Sequence, residues 1–421
     1  MPMKKKLVAL LLAMAMVLAL AACGGNNNAK DNNKDNNTTP STDNQGTDDN
    51  SGTPDNSGTP DNSAPEGTGA VNPDDISDTM TSADNKYVIA MVTDVGQLKD
   101  KSFNQGTWNG VKLYANETGK SYKYYQPANG DSATDEDRYQ AYKAAIDGGA
   151  EVIVAPGFLQ EAAMVRAASE YPDVKFVFID GYPLNDANGN PLANVVGVAF
   201  HEEQCGYLAG YAAVTEGYTK LGFTGGGGGT NPAVNRYGYG FVQGAQAAAA
   251  ENNTTVEMNY SYLYGDNYSA SAELQTQING WYANGTEVVF ACGGSMCNSV
   301  FAAAAANNGL SIGVDVDQAG ESGTVMTSAM KGLAEAASLM LGRFYDGQWD
   351  TIGGQSVNLG VDDNAVGLPF ASSQFEVLTE DAYNTLVDGM KTGGSLEVKG
   401  DYDAFLAGDE TFANVTVNFV K

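Results

Sequence analysis

The chain has 421 residues, with 51 acidic against 22 basic side chains, a single histidine and a formal net charge of −29. Such acidity excludes a nucleic-acid binder, because every phosphate contact would be made against the protein's own field. One histidine also removes most hydrolytic machinery that rests on several His ligands or on a Ser/His pair.

Lys4, Lys5 and Lys6 precede an apolar run over residues 7–22, which closes in Leu20-Ala21-Ala22-Cys23. A basic start, an apolar core and small residues before a cysteine predict a lipoprotein signal peptide, 1–22, with Cys23 lipidated at the new N-terminus. The run falls short of the roughly 20 residues that span a bilayer as a helix. The expected location is therefore the outer face of the cell membrane, held by acyl chains alone. Residues 23–85 are rich in Asn, Asp, Gly, Ser, Thr and Pro and include the near-repeat SGTPDN at 51–56 and 57–62. Without large apolar residues this segment predicts a disordered stalk.

From residue 86 onward, short apolar or β-branched runs alternate with longer helical stretches. Strands are expected at 87–93, 121–125, 151–155, 175–179 and 194–200, and helices at 103–118, 134–148 and 161–170. Thr134 is the expected N-cap of the second helix, with Asp135, Glu136 and Asp137 in its first turn. The rhythm restarts with strands at 220–224, near 258–264, at 287–291 and at 311–316. Helices at 240–250, 271–283 and 300–308 separate them. The pattern is α/β, with βαβ units laid down twice. It predicts two Rossmann-like lobes with parallel sheets, 86–200 plus 325–350 and 201–324 plus 351–421.

Ligands in such sheets sit beyond the carboxyl ends of the strands. Asp94, Asp180 and the pair Gly293-Gly294 follow predicted strands, Asp315 and Asp317 stand at the end of the strand at 311–316, and Lys331 follows the run 324–330. The run 225–229 is all glycine but lacks the Gly-Lys-Ser/Thr of a phosphate loop, so it reads as a flexible turn. Asp131, Asp135, Glu136 and Asp137 do not have the spacing of a calcium loop. Cys205, Cys292 and Cys297 are too few for a disulfide framework; Cys292 and Cys297 either pair or stay as free thiols. His201, after an apolar run and before two glutamates, reads as structural. No catalytic group, metal or cofactor is expected.

Thr93-Asp94-Val95-Gly96 with Asp100-Lys101-Ser102-Phe103-Asn104-Gln105 resembles the opening signature of the basic membrane protein family, purine-nucleoside-receptor-like lipoproteins. The resemblance continues through Phe178-Ile179-Asp180, Phe200-His201-Glu202-Glu203-Gln204 and Tyr207-Leu208-Ala209-Gly210. It then runs through Gly240-Phe241, Gly293-Gly294, Gly313-Val314-Asp315-Val316-Asp317-Gln318 and Thr327-Ser328-Ala329-Met330-Lys331. It implies a type I periplasmic-binding-protein fold and the role of substrate-binding subunit of an ABC importer. Permease and ATPase subunits would then be its partners. It further implies a purine nucleoside between the lobes, with Phe103 stacking on the base and Tyr237, or alternatively Tyr239, as the facing ring. Asp180 would bond the base, Asp94, Asp315 and Lys331 would surround the ribose, and Gly293 or Gly294 would give backbone contacts. Asn104 and Ser102 lie within the signature. Other readings of the residues are a receptor for a sugar or amino acid, a nucleoside-cleaving enzyme, and an adhesin with a vestigial pocket.

Overall fold

The computed structural model describes residues 71–95 and 97–421. The signal-type run, Cys23 and the stalk as far as residue 70 lie outside the described residues. Ten helices and thirteen strands follow in the described chain, as two sheets with helices on their faces.

The first sheet takes β1 (Ile89–Val92), β2 (Tyr122–Tyr125), β3 (Val152–Pro156), β4 (Lys175–Ile179) and β5 (Val195–Phe200). Connecting them are α1 (Phe103–Thr118), α2 (Asp135–Asp147) and α3 (Glu161–Glu170). The second half supplies α4 (Glu202–Thr215), β6 (Lys220–Gly225), α5 (Pro232–Glu251), β7 (Val256–Ser261), α6 (Ala272–Ala283) and β8 (Val288–Cys292). It continues with α7 (Cys297–Asn307), β9 (Leu310–Asp315), β10 (Val325–Lys331) and α8 (Leu333–Tyr345). β11 (Ser356–Leu359), β12 (Val366–Gly367), α9 (Glu380–Met390), α10 (Asp403–Ala407) and β13 (Val415–Val420) complete the chain.

The sheet orders are β11-β5-β4-β3-β1-β2 and β12-β10-β9-β8-β6-β7-β13. All pairs are parallel except β10 with β12. The central strands β1, β3 and β8 are buried along their whole length. That is why they read as unbroken apolar runs: helices cover both faces of a parallel sheet. The α/β expectation with two parallel sheets holds.

Two boundaries differ from expectation. β10, placed with the first lobe from sequence, lies in the second sheet beside β9, with Ser328 opposite Gly313. β11, placed with the second lobe, extends the first sheet along β5, with Val357 opposite Val198. β10 is buried along nearly all its length and would look the same in either sheet, while β11 is a short, mostly exposed strand with a single buried residue, so periodicity alone could assign neither.

The stalk also ends earlier than predicted. Residues 71–85 pack on the first lobe: Ile76 is buried, and the Tyr122 hydroxyl donates to the Ser77 carbonyl at 2.6 Å. Asp78 accepts from Trp108 Nε1 and Lys112 Nζ, both at 3.0 Å, and pairs with Lys99 at 2.6 Å. Burial alone would raise the Asp78 carboxyl, but bonds from Lys99, Lys112 and Trp108 outweigh it and hold it low. One apolar anchor and one carboxylate under a buried lysine suffice, and composition averages miss both. Asp78→Ala should cost on the order of 3 kcal/mol, since Lys112 would stay buried without its counter-charge. Urea denaturation checks this; an unchanged midpoint would show the strap to be decorative.

Helices α4 and α5 touch backbone to backbone. A Cβ added at Gly206 or Gly210 would strike the carbonyls of Tyr237 or Phe241, and one at Gly240 or Gly244 those of Glu203 or Tyr207. Glycines four apart on both helices thus line one seam. The seam brings Glu202, at the start of α4, against Arg236 on α5.

Candidate functional site

The carboxyl ends of β1, β4, β8, β9 and β10 open into one cavity between the sheets, of about 660 Å³ including its mouth. Nine of the residues singled out from sequence line it. Asp94, Phe103, Asn104 and Asp180 come from the first lobe; Tyr237, Gly293, Gly294, Asp315 and Lys331 come from the second.

Lys331 closes β10 and is almost fully buried. Its Nζ lies 2.6 Å from Asp180 Oδ2, 3.5 Å from Glu202 Oε1 and 3.7 Å from Asp315 Oδ1. The ammonium also sits 4.7 Å from the Phe103 ring centre and 5.7 Å from that of Tyr237. Burial works against this charge, but Asp180, Asp315 and Glu202 outweigh it and keep lysine protonated beyond its ordinary range. Burial likewise pushes the Asp180 carboxyl up, to about 6, although Lys331 pulls it back. Asp180 and Asp315 both adopt left-handed backbone, with φ of 56° and 67°. Aspartate is among the few non-glycine residues that tolerate this region, and the strand-end turn aims each carboxylate across the gap.

On the first lobe, Asp100 accepts from the backbone N–H groups of Ser102, Asn104 and Gln105 and so caps α1. Asn104 Nδ2 donates to Asp94 Oδ1 at 3.0 Å and to Asp100 Oδ2 at 3.1 Å. Burial raises Asp94 to about 7 and Asp100 to about 6, in each case against bonds that favour the charged form. Ser102 does not face the cavity; its hydroxyl donates to Asp315 Oδ2 at 2.5 Å and bridges the lobes. Asp180 Oδ1 and Asn104 Oδ1 are buried with no hydrogen-bond partner, a costly state for a polar atom unless a ligand supplies one.

Asp94, Asp100 and Asp180 hold protons more tightly folded than unfolded, so the native state binds more protons between roughly pH 4 and 7. Stability contributed by these groups is therefore present at acid pH and lost as the pH rises through that window. Exposed acids held low, such as Asp137 and Glu136, oppose this only weakly. The ligand-free protein should show a higher thermal midpoint at pH 5 than at pH 7.5; the reverse order would contradict this assignment.

Several expectations sharpen. Tyr237 lines the cavity, whereas Tyr239 turns away, its hydroxyl donating to Glu410 and its ring stacked on Phe405. Asp317 lies outside the lining and accepts from the Ser372 hydroxyl at 2.6 Å. The three described cysteines are free and buried. His201 lies outside the lining, at the N-cap of α4, with Nδ1 2.8 Å from Glu203 Oε1. The glycine run is not a slack turn: it ends β6 and packs beneath Tyr262 and Tyr268, where a Cβ at Gly226 or Gly227 would collide with the Tyr268 ring. Among the described residues no acidic, His or Cys group is placed to hold a metal ion, and no helix is long and apolar enough to cross a membrane.

Sequence reading quoted Asp100 and Glu202 only within family motifs, without a role, and missed Arg236, Asn231 and Tyr268. Arg236 Nε bonds Glu202 Oε2 at 2.6 Å, so Glu202 is shared between Arg236 and Lys331. An Asn-Pro helix start at Asn231-Pro232 was the one readable signal; Tyr268 stands in an irregular loop where nothing in the pattern marks it.

A family model described as the PnrA-like substrate-binding protein of ABC transporters matches residues 87–392. The chain is 27% identical over 343 residues to an ABC transporter nucleoside-binding protein, BmpA, of Lactococcus lactis subsp. cremoris, covering 76% of this chain and 92% of that one. It is 30% identical to a CD4+ T-cell-stimulating antigen of Listeria monocytogenes, across 72% of this chain and 85% of the relative. Among solved structures, an ABC transporter solute-binding protein of Aeropyrum pernix superposes with TM-score 0.57 at 21% identity, covering 78% of this chain and 93% of that one. One from Conexibacter woesei gives 0.56, also at 21%, over 74% and 98%. These two likenesses establish the fold, that of type I periplasmic binding proteins. With the family match running through both lobes, the chain belongs to the PnrA-like family of ABC transporter substrate-binding proteins.

Proposed function

We propose that the protein is a lipid-anchored receptor that captures a purine nucleoside between its lobes and delivers it to the permease of an ABC importer. The observation that carries this reading is the Asp180–Lys331 pair set beside the Phe103 and Tyr237 rings, with Asp180 Oδ1 left without a partner. Rings favour a flat aromatic base, and the free carboxylate oxygen favours an N–H or hydroxyl donor. The cavity lining holds four aspartates, Asp94, Asp100, Asp180 and Asp315, against the single cation Lys331. A phosphate or free carboxylate would enter that field at a cost, so a neutral riboside fits better than a nucleotide or an amino acid. Base stacking contributes about 1–3 kcal/mol per ring, and a hydrogen bond to a charged group roughly 1.5–3 kcal/mol. A few such terms, less the ordering cost, reach the ~8 kcal/mol of micromolar binding.

The nucleoside-binding relative from Lactococcus supports the same ligand class. Lobe closure on binding follows from residues of both sheets meeting one solute, and no enzymatic step is part of the reading. Calorimetric titration with inosine, guanosine, adenosine, ribose and AMP tests it. Micromolar or tighter binding of at least one nucleoside, with AMP and ribose weaker, is expected. No heat with any nucleoside, or release of free hypoxanthine from inosine, would overturn it. The anchor is tested separately by Cys23→Ala, which should move the protein from the membrane fraction to the medium.

A further inference from the structure

Glu202 stands outside the cavity lining and is completely buried. The chain passes between the two sheets after β5, after β10 and after β11. Glu202 follows the first passage by two residues, and Lys331 ends the strand before the second, so both belong to the joint between the lobes. Backbone bonds tie that joint: His201 N donates to the Leu359 carbonyl at 2.9 Å, and Gly332 N to that of Ala365 at 2.7 Å. An ammonium carries three donors. Lys331 Nζ bonds Asp180 Oδ2 at 2.6 Å, while Glu202 Oε1 at 3.5 Å and Asp315 Oδ1 at 3.7 Å lie within ion-pair range. Arg236 Nε clamps Glu202 Oε2 at 2.6 Å, yet Glu202 Oε1 is buried with no hydrogen-bond partner, a state that costs free energy. Because Glu202 lies outside the lining, the partner its free oxygen awaits is Lys331 rather than a solute.

We propose that Glu202, fixed by Arg236, is a positioning residue of the solute site: when a donor on the solute takes Asp180, Lys331 hands its hydrogen bond over to Glu202 Oε1. The inference rests on the nucleoside reading above. Closing 3.5 Å to the ~2.8 Å of a charge-assisted bond takes a swing of about 0.7 Å at the tip of a flexible four-carbon stem. The buried ammonium then exchanges one charged acceptor for another instead of losing one, which would be costly. Around the Asp180–Glu202 pair stand Asp315 of β9, Tyr237 of α5, Glu203 and Cys205 of α4, His201 at its N-cap, and Tyr268 of the β7–α6 loop. Burial pushes the Asp180 carboxyl up, to about 6; Lys331 pulls it down and Glu202 pushes it further up. Asp180 accepts best when ionised, so affinity should fall on the acid side through a limb that Asp180 sets. Asp94 and Asp100 titrate in the same range but are bonded to Asn104, so a limb that moves with Glu202 or Arg236 reports Asp180.

The test titrates inosine, guanosine and adenosine calorimetrically between about pH 5 and 8 into the full chain and its Glu202→Gln, Arg236→Met and Arg236→Lys variants, with thermal melting as the check on folding. Glu202→Gln keeps the shape and deletes the charge; it should bind about tenfold more weakly at neutral pH and move the acid limb down by roughly half a pH unit. Arg236→Met leaves Glu202 uncompensated, so it should move the limb up by about as much. Arg236→Lys keeps the charge and should fall between Arg236→Met and wild type. A role confined to folding would lower the melting midpoint and leave the limb in place. An unmoved limb in Glu202→Gln therefore overturns the inference, as does wild-type affinity at neutral pH in that variant. Should Arg236→Met not fold, the limb in Glu202→Gln alone decides. Wild-type protein that binds none of the three nucleosides overturns the functional reading and this inference with it, an outcome distinct from a bound nucleoside with an unmoved limb.

Discussion

On the proposed function, Asp180→Ala should lower nucleoside affinity at least tenfold and leave the fold standing. The carboxylate is the one cavity group with an oxygen bonded to Lys331 and a second oxygen that is buried and unpartnered. Removing it deletes a charged acceptor, a loss of roughly 1.5–3 kcal/mol in a dry site, which is tenfold or more in affinity. The fold survives because Lys331 retains Glu202 and Asp315. Asp180→Asn separates shape from charge: it keeps the volume yet replaces one acceptor oxygen with a donor, so it should also bind poorly. Calorimetry alongside thermal melting reads both effects. Equal affinity in wild type and Asp180→Ala would remove this carboxylate from the site.

Lys331→Met has the larger effect on stability. Asp180, Asp315 and Glu202 all approach the ammonium, and Glu202 is completely buried. Taking the cation away leaves mutually repelling carboxylates in a region of low dielectric, for which breaking a buried pair typically costs 3–5 kcal/mol. The sign of the pH response identifies the cause. Without Lys331, which pulls the Asp180 carboxyl down, Asp180 holds its proton to higher pH, so the deficit should be largest near pH 7.5 and shrink toward pH 5. Denaturation midpoints at the two pH values decide it. A deficit independent of pH would indicate lost packing of the lysine stem rather than lost charge.

How much of this was legible beforehand follows from what each residue does locally. The helices starting at Phe103, Asp135 and Glu161 begin where the sequence predicted them or within one residue; the second because Thr134 and Asp137 form a capping box. Helix α5 begins at Pro232, eight residues before the predicted start, because Gly238 and Gly240 look like breaks, yet Gly240 serves the close seam with α4 and Gly238 leaves room for the Tyr260 hydroxyl and the Phe223 ring. The strand-end aspartates were readable because a parallel sheet aims such positions outward by rule. Glu202 and Arg236 were not, since their meeting depends on two helices approaching to backbone contact. Tyr268 was hidden for a further reason: its importance lies in the missing side chains of Gly226 and Gly227, which a sequence displays only as slack. The sheet membership of β10 and β11 was beyond any local pattern, because only pairing decides it.

That interleaving has a consequence for how the molecule is made. β11 pairs with β5, yet a ribosome delivers Ser356 long after Phe200, with most of the second lobe synthesised in between. Until then β5 presents an open row of N–H and C=O groups, the kind of edge that invites intermolecular pairing. Neither half can therefore be completed from a contiguous fragment, and a polypeptide cut between Phe200 and Ser356 would leave an unfinished, aggregation-prone margin. Assembly must wait for nearly the whole chain.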